Sequence, residues 1–477
     1  MPWKHIAAPR LGQINNVPST MLPPDASPYI KGMYVKDGEV VSDFGYVDFP
    51  TAGVLKTNFL NGAVMKIDTF YKTNGLSYLI ALTTTNAYQY NTSTTTWDNI
   101  TKGTTVDDGE TAWTASANVT STVDTAVKLR GTYSAKHVIA AAFTTGIAST
   151  FDFSAADCTA ATHLHFWIYS TVATVANDLK VGISETSALG AAVLYFNVPA
   201  LTANTWTPCS VAGTFTGYNA VISVGLNVVV DNGAQTVYLD DIVAVTAFTG
   251  DEDNLFDAEI MNDTFLITNG VDQPQKYTGT GTFASLTTTL AAGSITTSEV
   301  IFSFKDHLFL MNNTENAADT PQRVSWTNIG ATEDWTNGTA GYQDLTDDVS
   351  WVLGAALLSE NEAIIYKERS IVAMTWVGGH TPFRFKTQVL GTGALSKNSI
   401  DSGTGEHLVV GPDVTYAYKG GTEIEILDDK VKKVMYGRLN KEYTGRLFII
   451  FIEEDDELQI WIPTDTAYPD EVWCTNV

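Results

Sequence analysis

Helical periodicity is nearly absent from this chain, and that restricts the fold more than any other property of the sequence. In its place run short segments rich in Thr, Val, Ile, Tyr and Phe, separated by Gly, Asn and Asp. This is the pattern of strands joined by tight turns. "SYLIALTTTNAYQYNTSTTTW", "DTFLITNGVDQPQKYTG" and "HLFLMNNTENAADTPQRVSW" are three instances. Each opens on an apolar strand, turns at Asn or Thr, and closes on an aromatic-bearing strand. Alternate side chains of a strand face one surface of a sheet, and the turns need residues that tolerate positive φ. The expected class is all-β.

At 477 residues the chain exceeds a single hydrophobic core, so two or three domains are expected. Strand-turn-strand units start near Lys66, Phe256, Val300, Val349, Leu395 and Val434. From Phe256 onward they recur at roughly 40 to 50 residues, the period of a four-stranded propeller blade. Within units the core strand is followed by a tight turn, at Lys367-Glu368-Arg369 in one and Gly411-Pro412-Asp413 in the next. Between about Thr105 and Gly250 the texture changes to Ala, Thr and Val, with four basic and eleven acidic residues. The next unit resumes at once, so this stretch reads as a domain inserted in a loop. The expected division is 1–104 for an N-terminal arm and the first blade or blades, 105–250 for the insertion, and 251–477 for the remaining blades.

Charge excludes one class of function. With 27 basic and 53 acidic residues the chain carries −26, the wrong sign for clamping phosphates. A surface past which DNA must slide without sticking would favour that sign. Apolar residues make up 44%, enough for proper cores, yet no run of 18 or more suggests a membrane-spanning helix. "MPWKHIAAPRLGQ" lacks a signal-peptide pattern, so synthesis and use without membrane export are expected, and Asn-x-Ser/Thr sequons carry no meaning.

The insertion contains, in order, Trp113, Gly131-Thr132-Tyr133-Ser134, "LHFWIYS", "LTANTWTPCSV" and "SVGLNVVVDNGAQTVYLDDI". This order resembles the jelly-roll carbohydrate-binding modules, end to end. The resemblance implies a structural calcium, held by an acidic pair and an acid near the first strand. The matching positions are Asp241 and Glu110. Read from the residues alone, they are equally two solvated carboxylates at a strand end. Sugar binding would need exposed rings, for which Trp113, Tyr133 and Trp206 are the candidates; packing in the core or at an edge is the other reading of all three. No other cofactor is expected. Cys158 and Cys209 either face each other in the sandwich or remain two buried thiols.

Outside the insertion, the Pro-punctuated arm "INNVPSTMLPPDASPYIKGMYVKDGEVVSDFGYVDF" leads into a strand pair turning at Asp37-Gly38. Further on, "RVSW" is followed by an acidic loop, the hairpin "LLSENEAIIYKERSIVAMTW" and a Gly-Ala/Leu-Ser turn. The arm and this order resemble the tail-nozzle and connector-complex proteins of short-tailed bacteriophages. The resemblance implies a virion structural protein of the tail or neck, made in the host cytoplasm. It would form a ring, with a hexamer expected, beside the portal, adaptor and other tail proteins, its channel passing the genome without tight binding. The alternative is an adhesion or receptor-recognition protein binding a host glycan through the jelly roll.

Catalysis is not expected. His163 and His165 share one face of a strand, as a zinc pair would, but no third ligand lies at suitable spacing. No Gly-x-Ser-x-Gly, phosphate loop or His-Glu-x-x-His occurs. Asp347-Asp348 and the run Glu453 to Glu457 are the acid pairs a glycosidase would need; the second reads more simply as a solvated hairpin tip.

Overall fold

The computed structural model describes residues 33–36, 39–42, 60, 62–92, 96–129, 131–403, 405–428, 431–453 and 457–476. Most of the Pro-rich arm therefore lies outside the described residues. The strand pair is present as Met33–Lys36 against Glu39–Ser42, with Lys36 opposite Glu39. The chain is all-β: strands dominate, and among the described residues the one α-helix is Lys432–Arg438. No helix of the described residues is long and apolar enough to cross a membrane.

The chain divides into two compact units. One holds the described residues from Leu60 to Thr249 together with Tyr277–Ser285. It opens with a four-stranded antiparallel sheet, Val64–Tyr71, Ser77–Thr83, Ala87–Asn91 and Thr96–Asn99. A β-sandwich follows. Its strands are β1 (Gly103–Asp107), β2 (Thr114–Ala115), β3 (Val119–Asp124), β4 (Ser134–Ile139), β5 (Gly146–Ala156), β6 (His163–Ser170), β7 (Leu179–Ser184), β8 (Leu194–Asn197), β9 (Thr205–Ala212), β10 (Val221–Val228) and β11 (Gln235–Val245).

Strands β9-β6-β11-β4-β3 form one sheet, with β1 also pairing β11, and β8-β7-β10-β5-β2 form the other. Successive strands cross repeatedly between the sheets, which is the jelly-roll arrangement. Period-2 alternation aims Leu164, Phe166 and Ile168 of β6 inward, where they meet Val181, Ile183, Val224 and Leu226 in one buried cluster. Entry and exit lie side by side: Gly103 is opposite Val245, and Thr246 N donates to Lys102 O at 2.7 Å. A side chain at Gly103 would meet Ala244 O at 2.7 Å, so this close pairing demands glycine.

The second unit contains Gly250–Lys276 and Leu286 onward. It is a succession of antiparallel sheets. A hairpin, Asp257–Met261 with Thr264–Thr268, turns through Asn262 and Asp263, both at positive φ. Next comes a five-stranded sheet: Thr289–Leu290, Gly293–Phe304, His307–Glu315, Ala318–Trp326 and Gly341–Asp344. Two four-stranded sheets follow, Val352–Ser359, Glu362–Lys367, Ser370–Trp376, Phe383–Leu390, then Ile400–Gly403, Glu406–Val410, Thr415–Tyr418, Glu425–Ile426. Phe448–Ile452, Glu457–Ile462 and Glu471–Asn476 make the last.

Apolar clusters such as Phe309, Val324, Val372 and Phe383 fill the spaces between these sheets. Three basic side chains add polar stitches. Lys367, only 1% exposed at its side chain, donates to Leu345 O (2.9 Å) and Asp348 O (3.1 Å) and pairs with Asp348 Oδ1 at 2.8 Å. Lys397 reaches Leu255 O, Glu299 O and Glu299 Oε2 at 2.7 to 3.0 Å. Arg446 pairs with Asp253 and Glu252 and donates to Ala467 O.

Candidate functional site

With Leu164, Phe166 and Ile168 turned inward, His163, His165, Trp167 and Tyr169 of β6 project from the outer face of the sandwich's larger sheet. Register then assembles a row that no single segment contains. Lys136 on β4 is opposite Tyr238 on β11, Tyr238 opposite Tyr169 on β6, and Tyr169 opposite Trp206 on β9. The Tyr169 ring lies 5.6 Å from Trp206 and 5.3 Å from Tyr238, edge-on to the latter at 88°. Tyr169 and Trp206 are half-buried, while Tyr238 is 6% exposed. The Tyr169 hydroxyl donates to Asn204 Oδ1 at 3.2 Å, which fixes the ring's tilt. Asn204 takes φ +58, a conformation its short side chain tolerates.

The row ends in an ion pair. Lys136 Nζ sits 5.6 Å from the Tyr238 ring centre and 2.7 Å from Asp124 Oδ2. Asp124 Oδ1 accepts the amides of Ala126 and Val127, both at 2.8 Å. The hydrogen bond from Lys136, with these amides, holds the Asp124 carboxyl down to about 2, so it is ionised at any working pH. The same bond raises the Lys136 ammonium above its ordinary value.

Further along the outer face the rings are closed off. Trp167 and His165 are buried there. The segment joining β3 to β4 runs to this end of the sheet: Leu129 N donates to Asp240 Oδ2 at 2.9 Å, and Ser134 Oγ to Val127 O. Open aromatic surface is thus concentrated in the Tyr169–Trp206 part of the face.

Of the three aromatic candidates, only Trp206 belongs to this row. Trp113 is a correction: it is 4% exposed within the sandwich core and cannot stack on a ligand. Its Nε1 donates to Asp107 Oδ2 at 3.1 Å, and its ring lies 4.8 Å from that of His137. An indole whose polar edge has a buried carboxylate to bond is stable inside, which explains the placement. Tyr133 is half-buried, and its backbone amide donates to Glu110 Oε1 at 3.2 Å.

Glu110 Oε1 also accepts Thr132 N at 2.5 Å, so this oxygen is occupied in shaping the 131–133 turn. Asp241 is half-buried at an irregularity in β11 and adopts φ +51; its neighbour Asp240 is the buried carboxylate. Among the described residues no group of three or more His, Cys, Asp or Glu side chains is placed to hold a metal ion.

Two buried polar groups of the sandwich are shifted toward their neutral forms. Burial pushes the Asp107 carboxyl up to about 7, outweighing hydrogen bonds from Trp113 and Gly109. Burial likewise pushes His137 down to about 3, and its Nδ1 lies near Ser149 Oγ (2.8 Å) and Ser121 Oγ (3.2 Å).

The other singled-out groups are accounted for locally. Cys158 and Cys209 are buried free thiols, both pushed upward by burial. His163 Nδ1 lies 3.0 Å from Thr162 Oγ1. Asp348 is held by Lys367, whereas Asp347 accepts from Thr387 Oγ1, so the two acids serve different partners. Of the run Glu453 to Glu457, residues 454–456 lie outside the described residues, and Glu457 Oε1 accepts Gln459 Nε2. Tyr169, Tyr238, Lys136 and Asp124 were not singled out from the sequence. The alternation in "HLHFWIYS" marks Tyr169 as outward; the remaining three depend on register.

No family model and no curated protein matches this chain. Similar solved structures include the family 11 carbohydrate-binding module of the cellulosomal cellulase Lic26A-Cel5E of Clostridium thermocellum. That likeness is 13% identical, covers 30% of this chain and 95% of the module, and has a TM-score of 0.23. The CBM22-1 xylan-binding domain of Paenibacillus barcinonensis Xyn10C is 12% identical over 30% of this chain and 97% of its own, at 0.21. An exo-beta-agarase is 12% identical over 29% of this chain and 23% of its own, at 0.22.

Proposed function

We propose that the sandwich is a glycan-binding module whose contact surface is formed by Trp206 and Tyr169, backed by the nearly buried Tyr238. One observation carries this reading: two half-exposed rings and a third behind them lie in register across the outer face of one sheet. Neighbouring strands are about 4.8 Å apart, so Tyr238 and Trp206 stand roughly 10 Å apart. The span from Trp206 to the Lys136 end of the row is therefore the length of about two pyranose rings, stacked on Trp206 and Tyr169 and reaching the half-exposed Lys136. The apolar C–H faces of sugars stack on such rings, and the Lys136 ammonium can bond sugar hydroxyls. The full chain tested against an oligosaccharide panel by isothermal titration should bind at least one member. Trp206→Ala should weaken that binding by about 2 kcal/mol, roughly thirtyfold. A chain that binds no member, or a Trp206→Ala variant that binds like the parent, overturns the proposal.

A second reading concerns what carries this module. The antiparallel sheets that succeed one another from Asp257 suit propeller blades, and the charge of −26 suits a wall past which DNA slides. They support a ring-forming virion component of a phage tail or neck, on which a glycan-binding module would serve recognition of a host surface. Electron microscopy of the purified chain tests this: rings are expected, and a monomer at all concentrations would overturn it.

A further inference from the structure

The charged end of the aromatic row is built as a closed pair rather than a free cation. Thr122 is the direct cross-strand partner of Lys136, and Asp124, two residues on, reaches it along the diagonal. The carboxylate is clamped from behind by the Ala126 and Val127 amides, so it cannot easily swing away. On its other side the ammonium rests over the Tyr238 ring. A glycan stacked on Trp206 and Tyr169 and running across the strands would bring its next unit toward this pair, where the Lys136 side chain is 28% exposed beyond the nearly buried Tyr238.

We propose that the Asp124–Lys136 pair sets the charge selectivity of the aromatic row, admitting neutral glycans and excluding anionic ones such as uronate chains. This rests on the glycan-binding reading of the same row. A lone ammonium at the end of the row would attract a sugar carboxylate. With Asp124 in contact, attraction by the cation and repulsion by the anion are of similar size and offset each other. The rest of the stretch 105–250, with ten acidic and three basic residues besides this pair, adds a net negative charge and so net repulsion. A lysine has three donors, so after the bond to Asp124 it still has donors for uncharged hydroxyls.

The test uses probes matched in backbone and differing in charge: β-1,4-glucan and β-1,4-glucuronan hexamers, and β-1,4-mannan and β-1,4-mannuronan hexamers. Each is titrated into the full chain at low and high salt. The parent should prefer the neutral member by about tenfold or more. In Asp124→Asn the amide oxygen can still accept the Ala126 and Val127 amides, so the turn is kept while the cation is uncovered. The preference should then shrink to within about threefold or invert, and high salt should reverse the gain. Lys136→Gln, which has no cation to uncover, should stay neutral-selective. A pair that merely pins β3 to β4 would change melting temperature without changing the neutral-to-anionic ratio. Equal binding of both members by the parent overturns the proposal without any variant, as does an unchanged ratio in Asp124→Asn. If binding is lost with Trp206→Ala yet ignores charge, only the selectivity claim fails. If no probe binds the parent, the glycan reading fails and the selectivity claim with it.

Discussion

The sandwich joins its two sheets through apolar side chains, and burial pushes Asp107 and His137 inside it toward their neutral forms. The sheets after Asp257 also pack apolar faces, but they add fixed charge inside, with Lys367, Lys397 and Arg446 reaching carbonyls and carboxylates of distant segments. The difference follows composition: the stretch 105–250 has only four basic residues, too few for internal stitching. It teaches that one strand-rich chain can hold its layers in two ways, and that the acids each way uses, Asp107 and Asp348, respond oppositely to acid. Burial of Asp107 in the sandwich favours its protonated form, whereas the ion pair between Asp348 and Lys367 in the other unit favours the ionised one.

The largest effect should come from breaking a stitch. Lys367→Ala leaves Asp348 and two carbonyls without their cation and should cost about 3–5 kcal/mol. In calorimetry of the full chain, only the transition of the unit containing Lys367 should move; if both transitions move equally, the contrast between the units collapses. Burial acts to raise the Asp348 carboxyl, but bonds from Lys367 and Ser350 outweigh it and hold it down to about 2. This contribution is complete above the unfolded carboxyl range near 4 and is lost as pH falls toward 2.

The sandwich should respond the other way. Asp107 titrates near 7 when folded and near 4 when unfolded, so its stabilisation is complete below about 4 and is lost as pH rises toward 7. Asp107→Asn should flatten that decline, a change on the order of a few kcal/mol across the window. Melting temperatures of parent and variant from acid to neutral pH check this; parallel curves would refute it. The smallest effect is expected from calcium. With Glu110 Oε1 occupied by amides, a chelator should leave the sandwich transition where it is. A clear fall in melting temperature on chelation would instead support Glu110 and Asp241 as ligands.

Local chemistry was the legible part of the fold. The turns expected at Lys367-Glu368-Arg369 and Gly411-Pro412-Asp413 do separate paired strands, because turn residues and alternation are written within a few positions. The site was less legible. Lys136, Tyr169, Trp206 and Tyr238 become neighbours only through register across four strands, and register is set by pairing over a hundred residues of chain. Trp113 shows the converse. As a lone aromatic near the start of the insertion it reads equally as exposed or buried, and its partner Asp107 settles the matter only once both lie inside the sandwich.

The pairing of β1 with β11 bears on ancestry. The segment enters at Lys102 and leaves at Thr246 through adjacent strands joined by a hydrogen bond of 2.7 Å. A recombination event that removes everything between them leaves two ends about one strand spacing apart, which a short turn can bridge. Gain of the segment is equally undemanding, since it arrives with its own core and with both termini together. Genes for such chains can therefore trade this cassette as a unit while leaving the remaining sheets untouched.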